Sequence, residues 1–201
     1  MSTIWDHIES SRSRWNVLEH PFYQRWSAGE LTSEELARYS GQYRHAVEAI
    51  ATMSLQAADD APERDDLRGH AVEEAQHVEL WDRFVDAVGG NDTAAPTAET
   101  TECVEEWTRE DGLLPTLARL YAVESGQPAI SRTKREGLVE RYGVADGSGT
   151  DYFRVHEGRD SDHAAEVRGL IEERAEPADA DAVVAAAEAA FRANWRLLDG
   201  V

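Results

Sequence analysis

Residues 151–174 read DYFRVHEGRDSDHAAEVRGLIEER. Within this stretch His156, Asp160 and His163 stand at i, i+4 and i+7, so a helix would carry all three on one face within two turns. Tyr152, Phe153, Ala164 and Val167 share that side, which points the face at least partly inward. Burying two imidazoles and a carboxylate without partners is expensive, and a divalent cation that they coordinate removes the penalty. Read alone, the same pattern also fits a solvated polar stripe beside Glu157 and Glu166.

The rest of the chain is punctuated as helices would be. An opening helix near 3–18 carries Ile4, Ile8, Trp15 and Leu18 and stops at His20-Pro21, because a residue before proline is pushed out of the α region. A short helix over Phe22 to Ala28 follows. Thr32 and Glu35 have capping-box spacing, which predicts a long helix from there to about Ala58. Leu36, Tyr39, Tyr43, Val47, Ile50 and Leu55 form its expected buried stripe. A helix over 62–88 opens near Pro62 and ends at Gly89-Gly90. Helices near 99–110, 113–125 and 128–142 come next, then the 151–174 helix and a last one over 179–198. Loops are expected at 91–98 and 145–150. One all-α domain over 1–201, a bundle of seven or eight helices with short joints, accounts for the pattern.

Two further segments supply candidate metal ligands. On the 62–88 helix Glu74 and His77 have the Glu-x-x-His spacing of metal-carboxylate bundles, with His70 one turn earlier on the same side and Trp81, Phe84 and Val88 in line beyond them. Glu73 competes with Glu74, since i to i+4 reaches the same imidazole. Glu124 ends an apolar helix containing Leu117, Leu120, Tyr121 and Val123. Glu74, His77, Glu124, His156, Asp160 and His163 together make a mixed nitrogen and oxygen set that suits iron or manganese. Zinc more often brings cysteine, and the chain has one, Cys103.

Composition narrows the partners. Forty acidic residues against twenty basic give a formal charge of −20, which argues against nucleic acid and anionic membrane surfaces. No apolar run approaches the roughly 18 residues of a membrane span, and the N-terminus lacks the order of a signal peptide, so a cytoplasmic location is expected. Trp5 and Trp26, read as exposed aromatics, are compatible with a homodimer. Lys134 is the sole lysine, in a chain that otherwise uses arginine.

These residues resemble the haem-oxygenase-like dimetal oxidases, and most closely the para-aminobenzoate-making branch of the chlamydial death-domain-associated protein. The resemblance runs through His20 to Trp26, Gly29 to Thr32, Tyr39, Gln42-Tyr43 and His77 to Trp81. It is densest in Leu120 to Ser125 and closes with Lys134, Gly137-Leu138 and the His-x3-Asp-x2-His of 156–163. Its N-terminal part is shared with the TenA and PqqC relatives. The resemblance implies that the six residues above bind two metals, Fe or Mn, which activate O2 with an external reductant. It implies Tyr23 as the donor of an aromatic ring, Lys134 as the donor of nitrogen, and Tyr39 and Tyr43 as either core aromatics or relays. Two departures stand out. The family pattern has a Glu where this chain has His70, leaving Glu73, Glu74 and His70 as alternatives, and Val123 replaces a tyrosine. Other readings are an external amino-acid or fatty-acid substrate, a TenA-like hydrolase of thiamine-related compounds, which would need a nucleophilic cysteine, or a non-catalytic binding module.

Overall fold

The computed structural model describes residues 3–201. Nine α-helices form, and no strand is present among the described residues: α1 (Ile4–Arg14), α2 (Pro21–Ala28), α3 (Ser33–Asp60), α4 (Asp65–Ala87), α5 (Ala98–Trp107), α6 (Leu113–Glu124), α7 (Gln127–Glu140), α8 (Asp151–Arg174) and α9 (Ala180–Asp199). This is the all-α bundle expected, counting α2 at about two turns. Among the described residues no helix is long and apolar enough to cross a membrane.

Local chemistry sets the helix ends. At α3 the Thr32 hydroxyl accepts from the Glu35 amide and the Glu35 carboxylate accepts from the Thr32 amide, the reciprocal pair read from the sequence. The first helix is shorter than expected, because the Asn16 side chain accepts from the Leu18 amide and starts a 3-10 turn, Val17–Glu19. The last turn of α5 closes at Thr108, whose amide and hydroxyl both donate to the Val104 carbonyl, so α5 ends at Trp107 rather than 110, and Gly112, at φ +103°, leads into α6.

Helices α3 and α4 form the most extensive pair; α8 lies against α6 and α7, and α9 covers α5 and α6. Their shared interior is aromatic, with Trp26, Tyr23, Tyr39, Tyr43, Trp81, Phe84, Tyr152 and Phe153 all buried. Two sequence expectations fail here. Leu55 is 55% exposed and lies off the stripe, while Met53 and Ala57 are buried in that stretch. Trp26 is fully buried, not an exposed docking aromatic, and its Nε1 donates to the Lys134 carbonyl at 3.3 Å. Trp5 is half-covered, edge-on to Tyr121 and beneath the Arg168 guanidinium.

Trp26 can reach α7 because residue 137 is glycine: a Cβ added there would lie 2.5 Å from Trp26 Nε1. Gly137→Ala is therefore expected to destabilise the fold by about 1–3 kcal/mol, the usual cost of overpacking, although alanine is the better helix former. Urea denaturation checks this, and an unchanged midpoint would show that the contact yields without cost.

Candidate metal centre

Helices α4 and α8 carry the same pattern, His-x3-acid-x2-His, as His70, Glu74 and His77 on one and His156, Asp160 and His163 on the other. Each triplet occupies a single helical face, and the two faces meet in opposite directions. The His70 ring packs on His163 with centroids 4.3 Å apart, and His77 packs on His156 at 4.6 Å. All six side chains are buried. Glu124, the last residue of α6, enters from a third helix and brings Oε1 to 2.9 Å from His70 Nε2. Glu74 Oε1 stands between the two ends of the cluster, 3.1 Å from His77 Nδ1 and 3.7 Å from His70 Nε2.

These approaches are close without being hydrogen bonds. His70 Nε2, His77 Nδ1, both Glu124 oxygens, His156 Nε2 and His163 Nδ1 are buried and make none. The hydrogen bond that does form within the set joins His156 Nδ1 to Asp160, at 2.9 Å from each carboxylate oxygen. Leaving a buried polar atom unpaired costs about 1–3 kcal/mol, so six in one cluster call for a common partner. Metal–ligand bonds of about 2.0–2.2 Å place neighbouring donors about 3 Å apart and not aligned with each other, which is the geometry here. Donor atoms of His70, Glu74 and His163 lie within 4.8 Å of one another, as do those of Glu74, His77 and His156. The residues present fit metal ions.

The electrostatics agree. Burial pushes the Glu124 carboxyl up to about 7, against the opposing pull of His70. Burial would lower the His70 imidazole, but the Glu124 and Glu74 carboxylates override it and hold the ring above its ordinary value. With protons alone the cluster is a set of shared charges in a dry interior, and divalent cations can replace those protons.

Beside the cluster lies a second unusual group. Lys134 on α7 is 0% exposed, and its Nζ has no hydrogen-bond partner. It sits 4.4 Å from the Tyr43 ring centroid, 5.4 Å from Trp81, 5.5 Å from Tyr39 and Phe153, and 5.7 Å from Tyr23. Aromatic faces favour an ammonium, yet burial dominates and brings the amine down to about 7. The Tyr23 and Tyr39 hydroxyls are hydrogen-bonded at 3.0 Å, and burial holds both phenols well above their ordinary range. The cage adjoins the donor cluster through Trp81, which meets Tyr152 at 4.8 Å; Tyr152 in turn packs on the His156 ring at 4.2 Å.

The six candidate ligands, Glu74, His77, Glu124, His156, Asp160 and His163, lie in the donor cluster, and Tyr23, Tyr39, Tyr43 and Lys134 form the adjoining group around the amine. The choice left open on α4 is narrowed. The Glu73 side chain is 37% exposed and pairs with Arg159 at 3.0 Å, with its other oxygen 3.6 Å from His163 Nε2, whereas Glu74 and His70 are both buried in the cluster. The signal for His70 was present as the repeated His-x3-acid-x2-His spacing, visible only when the two helices are compared. Cys103 is buried on α5 with its thiol pushed far up by burial, which removes the nucleophile a TenA-like hydrolysis would need.

Residues 63–195 match the family described as iron-containing redox enzymes. The chain belongs to that family. The matched range contains all seven buried donors and Lys134, and it leaves out Tyr23, Tyr39 and Tyr43. Full-length similarity covers those. This redox enzyme is 30% identical over 208 residues to the 4-aminobenzoate synthase of Chlamydia muridarum, spanning 96% of this chain and 88% of the relative. It is 29% identical to the 4-aminobenzoate synthase of Nitrosomonas europaea, spanning 100% and 91%. A TenA homologue from Pseudomonas syringae pv. tomato superposes with a TM-score of 0.77 at 17% identity, over 98% of this chain and 89% of that one, which shows the shared haem-oxygenase-like fold alone.

Proposed function

We propose that this enzyme makes 4-aminobenzoate at a dinuclear iron or manganese centre with O2 and an external reductant, taking the aromatic ring from its own Tyr23 and the nitrogen from Lys134. The observation that carries the reading is the sole lysine of the chain, buried without a hydrogen-bond partner in a cage that includes the Tyr23 ring, next to seven buried histidine and carboxylate side chains. The names of the relatives support the product.

The chain's own residues have definite tasks in this reading. Glu74, His77, Glu124, His156, Asp160 and His163 hold the metals, which when bound supply the redox chemistry of O2 reduction. Burial keeps much of Lys134 as free amine at neutral pH, so its lone pair is available to bond the ring carbon that gives up the phenol oxygen as water; release of the product would then break the Lys134 Cε–N bond and the Tyr23 Cα–Cβ bond, oxidations that O2 and the reductant would supply. Tyr23 stays a neutral phenol, so oxidising it must also release its proton; Tyr39 offers an oxygen 3.0 Å away to take part in that transfer. Tyr43, 5.4 Å from Tyr39 between ring centroids, closes the cage and keeps water from the amine.

An external substrate is the competing reading. Intact-mass measurement before and after reduced metal and O2 separates the two: self-sacrifice predicts loss of side-chain mass at Tyr23 with 4-aminobenzoate released at no more than one per chain. Tyr23→Phe is expected to bind metal normally and release none. Product from that variant, or an unchanged wild-type mass under multiple turnover of an added compound, would overturn the self-sacrifice.

A further inference from the structure

The cluster holds one more buried imidazole, His70, than the six residues carried by family resemblance, and the arrangement is nearly two-fold. Each end pairs one imidazole of α4 with one of α8, His70 with His163 and His77 with His156. Glu74 Oε1 lies within 3.7 Å of an imidazole nitrogen at both ends. The symmetry breaks in the carboxylate that joins each end: Glu124 Oε1 approaches His70 Nε2 at 2.9 Å, with the half-exposed Glu73 3.6 Å from His163 Nε2, whereas Asp160 pairs with His156 Nδ1 at 2.9 Å. At the other end the neighbour is Tyr152, on the cage side, 4.2 Å from the His156 ring and 6.4 Å from His77.

We propose that His70 is a seventh metal ligand, so that each metal is held between one imidazole of α4 and one of α8 with Glu74 shared, and Glu124 caps only the His70 metal. This rests on the dinuclear reading above and deepens it by assigning a donor to the position where the family pattern has a carboxylate. The His70 nitrogen that approaches Glu124 makes no hydrogen bond, although it is buried and within 2.9 Å of an acceptor. An imidazole serving only as a charge partner would align with that carboxylate; one sharing a cation with it need not. The His77 end is the one that adjoins the Trp81–Lys134 cage, through Tyr152.

The test uses Mn(II) alone, added anaerobically to the full chain, with bound metal counted by mass spectrometry and its coupling read by electron paramagnetic resonance. Wild type is expected to bind two Mn(II) per chain and give the broad spectrum of a coupled pair. His70→Ala and the closer-sized His70→Gln, each checked for helix content, are expected to weaken the second Mn(II) by at least about 100-fold. At limiting metal they should show the six-line spectrum of an isolated ion. Two Mn(II) bound by both variants with wild-type affinity and coupling would overturn the assignment and leave the dinuclear reading standing. A wild type that binds a single Mn(II) would overturn both. Absence of 4-aminobenzoate from a protein that passes this test would count against the proposed reaction and not against His70.

Discussion

Glu74→Ala is expected to lose both metals, the largest effect of any single donor change. Its Oε1 is the one carboxylate oxygen placed near imidazoles at both ends of the cluster. Removing it takes a ligand from each ion and also leaves His77, whose Nδ1 it approaches at 3.1 Å, without its carboxylate neighbour in a dry interior. Loss of a donor that serves one end, such as Glu124, should spare the other metal. The expected result is less than about 0.1 Mn or Fe per chain for Glu74→Ala under conditions that load wild type fully, with 4-aminobenzoate undetectable. Metal analysis after gel filtration decides it. One firmly bound metal in Glu74→Ala would mean that Glu74 does not bridge.

Lys134→Met is expected to abolish the product and make the protein more stable. A lysine whose amine titrates at about 7 in the fold and near its ordinary 10.5 when unfolded binds its proton more readily in the unfolded chain. Stability must then rise with pH between those values, and at pH 7 the buried amine costs about 4 kcal/mol. Methionine keeps the length, fills the same aromatic cage and has nothing to desolvate. In metal-free protein the variant should exceed wild type by about 4 kcal/mol at pH 7 and by about 2 kcal/mol at pH 9, the gap closing as wild type sheds its proton penalty. Urea unfolding at the two pH values measures this. A variant less stable than wild type, or a gap that widens with pH, would show that the amine is paired in the fold. Retaining so costly a group in a chain that otherwise uses arginine is what a chemical role for Lys134 would require.

What could be read in advance follows from how local each signal is. The α3 start was legible because Thr32 and Glu35 satisfy each other's backbone within one turn. Leu55 misled because 19 residues at about 100° each carry it roughly 100° round from Leu36, toward solvent and away from Met53. The fate of Trp26 depended on a glycine more than a hundred residues away on α7, a contact no local window contains. The donor cluster was legible in its spacing on each helix separately, but the choice among His70, Glu73 and Glu74 was not. All three are within one turn of each other, and only the position of α6 and α8 decides which face is dry. The cage around Lys134 draws on α2, α3, α4, α7 and α8, so the isolation of the amine had no sequence signal beyond its being the one lysine.

The central claim is that donors from α4, α6 and α8 converge because cations lie between them. Crystals of the protein loaded with Fe(II) or Mn(II), measured at the metal absorption edge, test it directly. The account predicts two anomalous peaks about 3.5–4 Å apart, one on each side of the Glu74 carboxylate and flanked by the His70–His163 and His77–His156 pairs. A loaded crystal with no peak among these residues would contradict it.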